Sequence, residues 1–478
     1  MPLVKSSKAV SIRPMDYHTP YFPQLRAQCA PLGRALHRSQ TATGSLGGLA
    51  ALFGGYFTGL LVPAGQGAGS RQRELPRVTV FWAFLGQVLR RGASCRWALT
   101  RVQADAVGRG HRPPGDSTGA YCQARAALSL PWLQTLFTAL GRWFERRTTA
   151  PWRGRTVRLM DASGFSMPDT GKNRAVWPYA AGQKPGCGFP TGKLVGLFCL
   201  HTGRMLAFAH GAWKAHDLSL ARKLLDCLQA GEVLVADRAY CGWLFLAQLL
   251  GRKVDFVIRL HQARLVRTRR YHSWLETWKK PQRPSGQSVR AWKKQPEELK
   301  IRLVRFRIEV RGFRTRRVIV ATSLLDAKAF PDSAIAELYG RRWQIELHYR
   351  QIKTNLALDV LRGLSPAMIE RELWMHALAY NLVRALLLEC ARTHKVPVER
   401  LSFKGALDAL QAWAERALSS PRQRGHARRT LLSRLAADLV PLRPGRHEPR
   451  ARKRRTKDYQ LLSRPRHLMR VSASRRLR

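Results

Sequence analysis

Apolar residues recur at helical spacing through "VTVFWAFLGQVLRRGASCRWALTRVQADA" (78–106), with basic residues between them. The pattern breaks at "RGHRPPGDSTGAY" (109–121) and resumes in "YCQARAALSLPWLQTLFTALGRWFERR" (121–147). Residues 1–150 are therefore expected to be mainly helical. Within them, "SLGGLAALFGGYFTGLLVP" (45–63) is uncharged and nearly long enough to span a bilayer, but it carries five glycines. It reads as a buried, glycine-loosened helical segment. From 155 the texture changes. "TVRLMDAS" is a short strand-like run ending in an acid, Asp161. "KLVGLFCL" (193–200) and "RMLAFAHG" (204–211), joined by "HTGR", read as a hairpin. A helix over 215–231 stopped by Gly231, a buried strand "VLVA" ending in Asp237, a helix over 242–252 and a strand over 254–260 follow.

Residues 261–317 interrupt this order. They are basic and end in "LKIRLVRFRIEVRGFRTRRVIVATS", where Arg alternates with apolar residues, so strands with one basic face are expected. The last, near 317–323, is expected to rejoin the core sheet. Helical runs return at 331–358, 365–393 and 403–418. Strands interleaved with helices point to an α/β fold with a mixed sheet. The expected division is a helical, basic, DNA-binding region at 1–150, a catalytic core at 151–395 with its β-rich insertion at 261–317, a helical region at 396–440, and a basic, disordered tail at 441–478.

Composition narrows the function. The protein has 478 residues, 84 Lys plus Arg against 30 Asp plus Glu, and a formal net charge of +54. With 45% hydrophobic residues it folds, so it is not merely a basic tail. The charge calls for a polyanion, and nucleic acid is the leading candidate because Lys and Arg neutralise phosphates. The eight cysteines form no Cys-x-x-Cys pair, which argues against a zinc ribbon or a disulfide framework and for a reducing, cytosolic setting. No Gly-Lys-Ser/Thr follows a glycine cluster, so ATP use is not indicated. His201, His210 and His216 lack metal-ligand spacing, and Asp217 reads as a helix N-cap.

Among so few acids, three stand at informative places. Asp161 is expected at the C-terminal end of the first core strand and Asp237 at the end of "VLVAD". Strand ends are where α/β folds hold ligands. Two aspartates there could share divalent ions, which activate the attacking oxygen and stabilise the leaving one in phosphodiester chemistry when bound about 3.5–4 Å apart. Glu346, in "YGRRWQIELHYRQIK" (339–353), could complete the set from a helix. On a 3.6-residue period Tyr339, Arg342, Glu346 and Lys353 share a stripe, with Arg350 close by, while Ile345, Ile352 and Leu356 face a core. Arg342–Glu346–Arg350 alone would equally make a solvated i,i+4 ion-pair ladder. Either aspartate alone would serve as a cap or turn residue.

The combination resembles DDE transposases of bacterial insertion sequences, the insertion sequence 4 family. Tyr339, Arg342, Glu346 and Lys353 match its Tyr-two-Arg-three-Glu-six-Lys signature. "TVRLMDASGFSMPDT" and "VLVADRAYCGW" are similar to its two aspartate regions, and the resemblance extends over about residues 70–395. It implies an RNase H-like core with a β-rich insertion. It implies Asp161, Asp237 and Glu346 as catalytic residues binding two Mg2+ ions (Mn2+ as a substitute), and Tyr339, Arg342, Lys353 and Arg350 on transposon-end phosphates. It also implies inverted-repeat ends and target DNA as partners, a homodimer on paired ends, no membrane, and a bacterial cytoplasmic, nucleoid-associated location. An RNase H-like nuclease without strand transfer, or a catalytically decayed DNA-binding protein, are the alternatives.

Overall fold

A computed structural model describes residues 45–61, 74–148, 152–180, 186–261, 264, 272–307, 317–416, 424–441, 465 and 468–469. The expectation of a disordered tail lies mostly outside these residues. Five helices come first: α1 (Ser45–Phe53), α2 (Arg77–Leu89), α3 (Cys95–Gly108), α4 (Thr118–Ala126) and α5 (Leu130–Glu145). Three of them start where a serine oxygen accepts an N–H of the first turn: Ser94 from Trp97, Ser117 from Gly119 and Ser129 from Trp132. Within the glycine-rich run, the described residues 45–61 bury Leu46, Leu49, Leu52, Phe53 and Phe57. No helix among the described residues is long and apolar enough to cross a membrane.

The sheet begins with β1 (Val157–Ser166); a short helix α6 (Gly171–Val176) leads to the hairpin β2 (Thr191–Cys199) and β3 (Met205–Ala212). Then come α7 (Asp217–Arg222), β4 (Val233–Ala236), α8 (Trp243–Gly251), β5 (Asp255–Arg259), β6 (Ser273–Lys279), α9 (Val289–Lys293), β7 (Glu298–Arg307) and β8 (Arg317–Thr322). Together the eight strands form one mixed sheet in the order β3-β2-β1-β4-β5-β8-β7-β6. β1, β4 and β5 run parallel, and the other pairings are antiparallel. β4, "VLVA", is wholly buried because it lies between two parallel neighbours with both faces covered. The strand near 317–323 does return to the core sheet, as β8 against β5.

The C-terminal third is helical: α10 (Asp332–Gly340), a 3-10 turn (Arg341–Trp343), α11 (Gln344–Arg350), a π turn (Gln351–Asn355), α12 (Pro366–His394), α13 (Phe403–Arg416) and α14 (Arg424–Ala437). α12 is the hub. It packs on α5, α2, α13 and α14, and its buried Asn381 holds both the N–H and the C=O of Met205 on β3. One face of the sheet (Val157, Leu159, Phe165) shares a core with these helices. The other (Met160, Val195, Leu197) packs on α7 and α8.

Three expectations need correction. Asp161 is not at the end of its strand: β1 continues to Ser166 because β2 keeps pairing with it after β4 has stopped opposite Met160. The helix expected over 215–231 is only α7, followed by a 3-10 turn at Leu225–Cys227. Its N-cap is His216, whose ring Nδ1 accepts the Leu218 N–H; Asp217 is the first helical residue and pairs with Lys193 at 2.6 Å.

Candidate active site

The positions of the two aspartates follow from the sheet register. β1 and β4 are parallel with Met160 beside Ala236, so the next residue on each strand is an aspartate, Asp161 and Asp237. Neighbouring strands lie about 4.8 Å apart, which sets the two side by side. β4 ends there, and Asp237 leads into a 3-10 turn (Arg238–Tyr240). α11 lies across β1 on the face that bears Asp161. Ile345, Ile352 and Leu356 are buried beneath it, which turns Glu346 toward the strand.

An open cleft of ≈ 820 Å3, open solvent included, is lined by Asp161, Ala162, Ser163, Glu346, Tyr349, Arg350, Lys353, Thr354 and Asp359. Two cations thus flank two of the three expected acids. The π turn carries Lys353, so Lys353 reaches the cleft by way of a wider helical turn than the regular period assumes.

Arg342 organises the charges. Its side chain is only 14% exposed, with one Nη 3.1 Å from Glu346 Oε1 and the other 3.9 Å from Asp161 Oδ2. Its guanidinium lies 5.9 Å from the centre of the Tyr339 ring. The ion pair with Glu346 is the one a solvated ladder would contain, but here its guanidinium also faces Asp161 and is mostly covered, while the Glu346 side chain stays 38% exposed. Asp161 is pushed up to about 6: burial disfavours its charge, and Asp237 and Glu346 add to that, while its hydrogen bond from the Ala162 N–H and the nearby Arg342 oppose it. Tyr339 is 7% exposed and packs against Phe306, with its hydroxyl pushed up to about 12, chiefly by burial. It supports Arg342 and does not line the cleft. His348 turns away from Glu346, as helical geometry requires, stacks on Phe198, and is held down to about 3 by burial.

The candidate donors suit a hard divalent cation because they are all carboxylate oxygens. As the side chains stand, no three acidic, histidine or cysteine side chains among the described residues are close enough to hold one ion together. Arg342 lies between them, where it balances Asp161 and Glu346.

Tyr349 and Asp359 are among the cleft residues that were not singled out from the sequence. Tyr349 lies one turn after Glu346, a spacing that places it near Glu346, but its hydroxyl contacts depend on β1 and β2. Asp359 enters the cleft because its segment pairs with β1: the Asp359 C=O accepts both the N–H and the hydroxyl of Ser166. No local pattern marks that pairing.

Residues 152–382 match the family model described as "Transposase DDE domain". The protein is 29% identical over 330 residues to the "Transposase InsG for insertion sequence element IS4" of Escherichia coli (strain K12), covering 67% of this sequence and 72% of that one. It is 25% identical over 251 residues to the "Probable transposase for insertion sequence element IS5377" of Geobacillus stearothermophilus, covering 52% of this sequence and 61% of that one. A solved piggyBac transposase synaptic complex with hairpin DNA aligns over 87% of both proteins at 10% identity with a TM-score of 0.42. The match, which runs from β1 into α12, and these two relatives support a DDE transposase of bacterial insertion sequences, of the insertion sequence 4 family.

Proposed function

We propose that this transposase cleaves the ends of an insertion sequence and joins them to target DNA, with Asp161, Asp237 and Glu346 as its catalytic carboxylates. One observation carries the reading: the register that sets Asp161 beside Asp237, with Glu346 facing the same cleft as Arg350 and Lys353. In this reading the parallel strands β1, β4 and β5 with the β2–β3 hairpin form an RNase H-like core, and β6, β7 and α9 form its insertion.

The three carboxylates would hold two divalent ions, Mg2+ or Mn2+. When bound, such ions lower the pKa of the attacking oxygen and stabilise the leaving oxygen. Arg350 and Lys353 bind the backbone phosphates of the transposon end and orient the scissile bond. Arg342 exchanges its carboxylate partners for a phosphate oxygen, which its forked guanidinium suits, while Tyr339 packs beneath it. Asp161, half-buried, would have its charge balanced by a bound cation. Residues 1–150 and the basic tail add phosphate contacts, and two protomers hold paired ends.

The test is product analysis on DNA bearing the inverted repeats that flank the gene, with a supercoiled target and Mg2+. Nicks at the repeat boundary followed by joined products support the reading. Nicks without joining indicate a nuclease; binding without cutting indicates a decayed element.

A further inference from the structure

Asp161 and Glu346 come from elements far apart in sequence, and two carboxylates that share ions must keep a separation good to about 0.5 Å. One side chain spans the gap. Tyr349 follows Glu346 by three residues on α11 and is 6% exposed. Its hydroxyl donates to the backbone C=O of Asp161 at 2.7 Å, 188 residues away in sequence, and accepts the N–H of Gly196 at 2.8 Å. Asp161 and Gly196 are register partners on β1 and β2. The hydroxyl is thus seated against both members of the pair that carries the first aspartate. Gly196 makes this possible: a Cβ there would stand 2.9 Å from the tyrosine hydroxyl and 2.7 Å from the Phe198 ring. The ring of Tyr349 is fixed edge-on to Phe198 at 5.4 Å, so the hydroxyl has little freedom.

We infer that Tyr349 is a positioning residue that sets the distance between the Glu346 helix and the Asp161 strand, and so sets the affinity of the carboxylate cluster for divalent ions. The inference rests on the functional reading above. Tyr349 does not touch the reacting atoms; it acts through the Asp161 backbone. Removing its hydroxyl also leaves the Gly196 N–H without that partner, which loosens β2 against β1 at the same point.

The experiment uses the full-length protein, wild type and Tyr349→Phe, with two readouts. Mn2+ binding to the protein is measured by electron paramagnetic resonance, and Mg2+-dependent cleavage of end DNA is measured in single turnover. Removing a group that orients metal ligands typically costs about 10–100-fold in metal affinity or activity. The expected result is a Mn2+ dissociation constant raised about tenfold or more, a Mg2+ midpoint for cleavage raised in parallel, and end-DNA affinity within about twofold of wild type. Tyr380→Phe is the control: its buried hydroxyl bonds a carbonyl, that of Gly203, away from the cleft, so it reports lost stability alone. Gly196→Ala, which displaces the hydroxyl rather than deleting it, is expected to shift the Mn2+ constant in the same direction. An unchanged constant in Tyr349→Phe, or an equal shift in Tyr380→Phe, overturns the inference. Wild type that neither binds Mn2+ nor cleaves overturns the functional reading instead.

Discussion

Arg342, Glu346 and Lys353 lie within one short stretch, and their roles separate by what each touches. Arg342 is tied to Asp161 and Glu346. Lys353 lines the open cleft, and the ion pairs of Asp161 and Glu346 among the described residues go to Arg342 instead. Lys353→Ala should therefore weaken binding of any end sequence about equally and reduce the slope of log affinity against log salt by about one. Fluorescence anisotropy at several salt concentrations checks this; a sequence-dependent loss contradicts it. Arg342→Lys keeps the charge but loses the fork, so cleavage should fall by about tenfold or more while binding changes little, read as single-turnover rate against affinity. Glu346 and Lys353 could be read as near neighbours from their approximate helical spacing, although a 3-10 turn and a π turn interrupt the helix and Tyr339 lies off the cleft. Asp161 and Asp237 were legible as acids after apolar runs, but their adjacency is a matter of register. Tyr349 and Asp359 were not legible, since each reaches the cleft through a pairing with β1 that no local pattern records.

Among the elements, the strands of the core and the return of β8 could be read from alternation and buried runs. The shortening of α7, and the short helices α6 and α9, could not, while α14 falls in the region 396–440 expected to be helical without bounds of its own. α6 and α9 are six and five residues long, too short for a helical period to show. α14 has weak amphipathic patterning and is held by Leu431, Leu432 and Leu435 against α12. The glycine-rich α1 has a packing reason for its composition. At Gly48 a Cβ would lie 2.0 Å from the Ala414 carbonyl oxygen on α13, whereas at Gly47 the nearest atom is 4.0 Å away. Gly48→Ala is expected to cost about 1–3 kcal/mol by forcing α1 off α13. Gly47→Ala should be neutral or stabilising by up to about 1 kcal/mol, because alanine favours the helix. Thermal denaturation of both variants decides; equal melting temperatures would contradict the close packing of these helices.

For the whole molecule, the +54 charge means that the folded protein repels itself. A short polyanion such as heparin should raise the melting temperature at low salt, and the gain should shrink as salt rises. Proton linkage sets a second trend. His201, His210 and His376 are all held below the ordinary imidazole range, burial being the largest cause in each. The unfolded state, with histidines near about 6.5, then binds more protons than the native state. Their contribution is complete above about 6.5 and is lost as pH falls through that value toward the lower native ones. Melting temperature should therefore drop between pH 7 and pH 5, and His376→Gln should flatten the drop; a profile equally steep in the variant would contradict the assignment to His376.

The carboxylate assignment is tested most directly by strand cleavage of DNA bearing the flanking inverted repeats, with wild type and Glu346→Gln, with and without Mg2+. Wild type should nick at the repeat boundary only with Mg2+, and the variant should lose at least about 100-fold in rate while binding the ends equally well. Cleavage by Glu346→Gln at the wild-type rate, or wild-type cleavage that is indifferent to divalent ions, would contradict the assignment.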